Sequence, residues 1–318
     1  MAKDQALNRF SENTGTCYGK NYKSISYGFF SQFQDSFFYA NVIQVIVVVF
    51  LYFHLGNGRY WNLLLIASIS GFLGAVIENA TVAYLCLDSQ KDNKSHSLVI
   101  PFLIAETFWT TCQYSIPFLN LIKMRAFAKG KQANIIRSTI IGLFVPFLFF
   151  RFFIGYERMM KGYLVDDKIS SIHGYAFGVL AISDFICTIS IIYFVKKHNR
   201  ELAYSTSNVS DYIKNSSYIT LVAVDSVGFC LSILDIITNL GIAESFLPKT
   251  ITVPFQCLMS NFVLILTVDA LLFKYNGSSS SNVNNSNINN YPSKNTTITK
   301  NKNDESNSTI SNNYFVSV

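Results

Sequence analysis

The chain has 318 residues, half of them hydrophobic, 15% aromatic and only 14% charged, with a mean hydropathy of +0.29. Soluble domains carry about a quarter charged residues, so a water-facing globule is excluded. The net charge of +6, spread over apolar runs, forms no basic face for nucleic acid. Six cysteines without a Cys-x-x-Cys pair make neither a disulfide scaffold nor a zinc or redox motif.

Taken in chain order, residues 1–35 form a short polar N-terminal tail that begins MAKDQALNRF and lacks a signal-peptide pattern. Seven segments then have the roughly 20 mainly apolar residues that a helix needs to cross a bilayer. They run over about 36–55, 61–87, 98–122, 138–156, 173–195, 217–240 and 251–273. None alternates like a lipid-facing barrel strand, so the fold class expected is an all-α integral membrane protein, a seven-transmembrane helix bundle over 36–273. Residues 274–318 are rich in Asn, Ser and Thr and read as a disordered C-terminal tail. Pro117, Pro146 and Pro254 fall inside spans, where proline kinks a helix.

Basic residues near span ends set orientation. The segment KMRAFAKGKQANIIR holds five bases, Lys123, Arg125, Lys129, Lys131 and Arg137, and no acid. It is the strongest argument for an N-terminus outside and these bases inside, as a cytoplasmic coupling surface. In that orientation Cys17 and Cys86 share the outer compartment, which permits a disulfide between them or two unpaired thiols.

Ionisable groups inside spans are costly and therefore informative. Glu78, Glu106, Asp184, Asp225, Asp235 and Asp269 lie within spans, whereas Arg151 is the one base there. At 1.5 Å of rise per residue, Glu78, Glu106 and Arg151 fall at one level, roughly 6 Å toward the N-terminal side of the membrane. Arg151 either bridges the glutamates as a structural pair or shares with them a polar, ligand-recognising pocket.

Glu106, Thr110, Gln113, Pro117 and Asn120 share one helical face, and Ser68, Gly71, Ala75 and Glu78 share another. Asp225, Gly228, Ser232, Asp235 and Asn239 make a third stripe. The candidate ligand-binding residues are accordingly Glu78, Glu106, Arg151, Asp235 and Gln113, with Asp184, Asp225 and Asp269 in an inner polar network. An acidic interior favours a cationic or hydroxyl-rich ligand.

No metal site follows from His54, His96, His173 and His198, which do not converge. The last span has no lysine for a retinal Schiff base, and no serine or cysteine has a base at matching depth. Neither a cofactor nor an enzyme is expected.

Seven helices, a short N-terminal tail, basic inner loops and a Ser/Thr-rich tail resemble a G-protein-coupled receptor over 36–273. The runs GFLGAVIENATVAYLC, IAETFWTTCQYSIPFLNLIKMRAFAKGK and RFFIGYERMMKGY are similar to orphan seven-span, receptor-like proteins of fungi. The chain departs from the commonest receptor motifs, ending its third span in NLIKMRAF and its seventh in TVDALLFKY. The resemblance implies a plasma-membrane receptor for a small-molecule or peptide ligand, coupled to a heterotrimeric G protein. A seven-span transporter or cation- or proton-conducting protein is the alternative, with the intramembrane acids as its relay.

Overall fold

The computed structural model describes residues 8–33, 37–55, 58–91, 98–127, 130–202, 227, 229–231, 233–234, 237 and 249–271. Among them the chain is helical, with no strand beyond an isolated bridge between Tyr22 and Leu87. The helices are α1 (Ile25–Ser31), α2 (Phe38–Leu55), α3 (Arg59–Leu85), α4 (Ile100–Phe127), α5 (Lys131–Lys161) and α6 (Asp167–Leu202). They are followed by α7 (Val253–Ser260) and α8 (Phe262–Leu271).

Four helices are long and apolar enough to cross a membrane: α2, α3, α5 and the Asp167–Phe194 part of α6. α7 and α8, bent by 42° to one another, make a fifth if they count as one span. The chain is thus an all-α, multi-pass membrane protein, with four to five candidate spans in view where seven are expected. The expected span over 217–240 lies almost wholly outside the described residues, although 227, 229–231, 233–234 and 237 are helical. Asp225, Asp235 and the tail over 274–318 are also outside them.

Exposed large apolar side chains mark the faces suited to lipid. α2 turns Ile46, Phe50 and Phe53 outward, and α5 does the same with Val145 and Phe149. Such a girdle would aggregate in water but is solvated by acyl chains.

α4 occupies the place of the expected third span, yet it is not among the helices apolar enough to cross a membrane, because Glu106, Thr110, Gln113 and Asn120 interrupt its apolar run. It packs against α3, α5 and α6 at once. Without a hydrophobic drive between helices in lipid, close packing and interhelical polar contacts hold such a bundle. Small residues make the approach possible. A Cβ at Gly71 would come within 2.8 Å of Asn41 Oδ1 on α2 and 3.0 Å of Cys112 Sγ on α4. A Cβ at Gly155 would meet Leu103 at 2.9 Å and Glu106 Cγ at 3.1 Å, so Gly155 lets α5 lie directly on the part of α4 that carries Glu106. Pro117 and Pro146 lie inside α4 and α5, as expected. Pro254 instead occupies the first turn of α7, where its missing N–H costs nothing, and the bend falls at Asn261.

α3 and α5 end, and α4 and α6 begin, on one face of the bundle, here termed the cap face. The N-terminal segment, read from composition as a polar tail, is folded across it. Cys17 and Cys86 form a disulfide that closes a 69-residue separation. Tyr22 pairs through its backbone with Cys86 and Asp88, Val165 N–H donates to Thr14 O at 3.1 Å, and Leu164 N–H donates to Thr16 Oγ1 at 2.8 Å. Cys17, Tyr22, Val82, Leu85, Cys86, Val99, Phe102 and Leu164 bury one another in a second small core beneath this cap.

Candidate functional site

Beneath the cap lies a buried cluster of charges from α3, α4, α5 and α6. Glu106 of α4 is 1% exposed and Arg151 of α5 is 2% exposed. Arg151 Nη2 lies 2.8 Å from Glu106 Oε2, a close ion pair not aligned as a hydrogen bond. Arg158 Nη1 donates to Glu106 Oε1 at 2.6 Å and reaches Glu78 Oε2 at 3.4 Å. Trp109 Nε1 donates to the same Glu78 oxygen at 3.2 Å. Arg158 Nε donates to Leu164 O at 2.8 Å, and through Thr16 this ties the cluster to the disulfide-bonded cap. Two carboxylates and two guanidiniums balance in charge, which is the condition for burying them at tolerable cost.

His173 of α6 completes the cluster. Its Nδ1 lies 3.2 Å from Arg151 Nη1 and its Nε2 lies 3.2 Å from Arg158 Nη2. A guanidinium only donates, and an imidazole offers at most one accepting nitrogen. His173 therefore accepts from one arginine or the other, and its tautomer decides which.

A second buried ion pair sits at the opposite end of α4. Lys123 Nζ lies 2.6 Å from Asp269 Oδ2 of α8 and 5.5 Å from the Tyr60 ring centre. Tyr60 O–H donates to Leu266 O at 3.5 Å, and Gln44 of α2 donates to Ser260 O, so α2, α3 and α4 all grip the bent α7–α8 pair. Between the two charged ends, Asn120 Nδ2 donates to Asp184 Oδ1 at 3.3 Å. Nearby, Tyr114 O–H meets Ile140 O at 2.6 Å and Ser183 Oγ at 3.2 Å, joining α4 to α5 and α6.

The structure brings together Glu78, Glu106 and Arg151, the three groups placed at one level by counting residues. It adds Arg158, which sequence reasoning left beyond the fourth span, and His173, which it placed at the very start of the fifth. α5 runs on to Lys161, so Arg158 lies on helix rather than in a loop, and α6 begins at Asp167, almost two turns before His173. The spacing from Arg151 to Arg158 is i, i+7, a same-face signal that could have revealed the second arginine. Gln113 is half-buried, its Oε1 enclosed without a hydrogen-bond partner among the described residues, and it does not reach the cluster.

Asp184 and Asp269 do not meet each other; each serves a different helix pair. Lys123, read as a surface base for a cytoplasmic partner, is buried and paired. Its partner is far away in sequence, so nothing local marks it. Arg125, Lys131 and Arg137 are exposed at that end, and Lys129 lies outside the described residues. Comparison with known protein families, curated proteins and solved structures finds no match to this chain.

Proposed function

We propose that the chain is a seven-span, G-protein-coupled-receptor-like protein of the plasma membrane, its cap face and N-terminus outside. The observation that supports this most is the build of α4. It carries Glu106 in the cap-face cluster and Lys123 in the opposite ion pair. Seventeen residues of rise separate them, about 25 Å, so one rigid helix has an ionic contact at each end. A change at one contact can reach the other only by moving α4.

Within this reading Glu78 is the carboxylate a cationic or hydroxyl-rich small molecule or peptide would engage first. Its arginine contact, at 3.4 Å, is the longest in the cluster. Movement of α4 would loosen Lys123 from Asp269 and change the shape of the end where Arg125, Lys131 and Arg137 stand exposed for a heterotrimeric G protein.

The test needs no ligand. Asp269→Asn should raise basal nucleotide exchange on a co-expressed heterotrimeric G protein in isolated membranes, at a surface level equal to wild type. Exchange no higher than in vector-only membranes, for wild type and variant alike, would overturn the reading. Orientation has its own test, a glycosylation-dependent mobility shift that is lost on Asn93→Gln while the tail sites stay unmodified.

A transporter or cation- or proton-conducting protein is the second reading, favoured by the Asn120–Asp184 contact lying between two ion pairs that close both ends. Proton-coupled flux in vesicles that disappears in Asp184→Asn would move the assignment there.

A further inference from the structure

The seven residues of α1 sit where composition alone would put water. Tyr22, just before the helix, lies against Cys86 and Leu87 at the end of α3. Gly28 is pressed between Ala83 and the Tyr22 ring, a Cβ there coming within 3.0 Å and 2.7 Å of them. Gln32, at the other end, is 1% exposed and donates through Nε2 to Asn79 O at 3.3 Å. α1 therefore descends along the last two turns of α3, about 10 Å into the bundle's length. Where it stops, α2 takes over the same side of α3, Phe38 stacking on Phe72 with ring centres 6.2 Å apart.

The side of α1 turned away from α3 is apolar and open. Tyr27 is 63% exposed, Phe30 71% and Phe33 41%. This patch is continuous with the lipid-facing side of α2: Phe29 and Phe33 each lie 5.4 Å from Phe38, after which Ile43, Ile46, Phe50 and Phe53 carry the exposed apolar band onward. Lys20 and Lys23 come just before the helix, on the cap side. Bases, then tyrosine, then phenylalanine is the order in which a bilayer presents phosphate, interface and acyl chain.

We infer that α1 is a membrane-embedded interfacial helix, its Tyr27–Phe30–Phe33 face in contact with phospholipid at the headgroup–acyl boundary of the cap-face leaflet. The N-terminal cap is then held twice, by the Cys17–Cys86 bond to α3 and by lipid through α1. This does not depend on the receptor reading, since it follows from where α1 lies along α3.

The experiment is fluorescence quenching of full-length protein carrying Phe30→Trp, reconstituted in phosphatidylcholine vesicles. The signal added over wild type, which retains Trp61 and Trp109, should be blue-shifted. It should be quenched at least twofold by lipid brominated on the upper acyl chain and little by aqueous iodide. Tyr27→Trp reads the same face and serves if the first variant does not assemble. Quenching by iodide without quenching by bromolipid puts α1 in water and overturns the inference. Quenching by neither means another protein surface, such as a second copy, covers the face, and overturns it equally.

Discussion

The two ends of α4 are held by buried charge, but they are built differently. At the cap face two glutamates, two arginines and a histidine from four helices share their contacts, beneath a disulfide-closed segment. At the far end one lysine meets one aspartate beside a tyrosine, with no covalent closure among the described residues. A shared network tolerates small displacements, because Glu106 is held by both Arg151 and Arg158 and keeps a counter-charge when either one shifts. The far end spreads its charge over fewer groups, so a displacement there disturbs a larger share of its contacts. The cap end is therefore suited to holding position and the far end to switching.

The sharpest way to break that contrast is at Glu106, which contacts both arginines. Glu106→Gln leaves two buried guanidiniums with Glu78 as the remaining carboxylate, and breaking a buried pair in this way costs about 3–5 kcal/mol. The expected outcome is a large drop in melting temperature in detergent and in surface level. Adding Arg151→Met, which restores charge balance with Arg158 and Glu78, should recover most of the loss. A double variant no better than the single would show that the network does not act as one unit.

The disulfide comes next. Opening a 69-residue separation removes a constraint on the unfolded chain worth roughly 2–4 kcal/mol. Cys17→Ser should lower the melting temperature by less than Glu106→Gln and should leave the Lys123–Asp269 end unaffected. Equal loss of protease protection at both ends of α4 would deny that the cap acts locally.

The long apolar runs made α2 to α6 readable one by one, and α7 and α8 together as one run that the structure bends at Asn261. The predicted 36–55 and 61–87 correspond to Phe38–Leu55 and Arg59–Leu85, and the start of α4 differs by two residues. Where reading stopped short, charge was the cause. Arg158, Lys161 and Asp167 ended the apolar runs on paper, but Arg158 finds Glu106 on α4, Lys161 pairs with Glu157 on its own helix and Asp167 sits in the first turn of α6, so α5 and α6 extend through them. Lys123 looked like a flanking base because its acid is on α8. α1 was missed because Ser, Tyr and Gly interrupt a run too short to span. The stripe Ser68, Gly71, Ala75 and Glu78 was readable because small residues at helical spacing have a single physical use in lipid, close approach.

At the far end the contrast predicts a smaller cost. Asp269→Asn removes a charge-assisted hydrogen bond, worth about 1.5–3 kcal/mol. Lys123 lies near the end of α4, where its long stem can carry the ammonium toward water. The melting temperature should fall less than in Glu106→Gln, and Lys123 should become reactive to an amine-directed reagent that spares it in the wild type. Continued protection of Lys123 would mean that the far end cannot open in the way a switching pair must.

The smallest effect is expected in the turn between α5 and α6, where Asp166 lies outside the membrane-spanning segments. Burial works against ionising its carboxyl. It is outweighed by hydrogen bonds from Lys161 Nζ at 2.5 Å, from Ile169 N–H at 2.7 Å and from Tyr163 O–H at 3.0 Å, which together hold it below the ordinary carboxylate value. A depressed value in the folded state means that the stabilisation is present above the ordinary carboxylate range. It is lost as the pH falls through the lowered value. Lys161 is partly open to solvent, so screening limits the contribution to about 1 kcal/mol or less. The wild type should thus lose melting temperature between neutral and strongly acidic pH by slightly more than Asp166→Asn does, the two curves converging at the acid end. Because Leu164 in the same turn accepts from Arg158, a larger separation between the curves at neutral pH would mean that the turn feeds into the cap-face cluster and that the cap end, too, depends on a single contact.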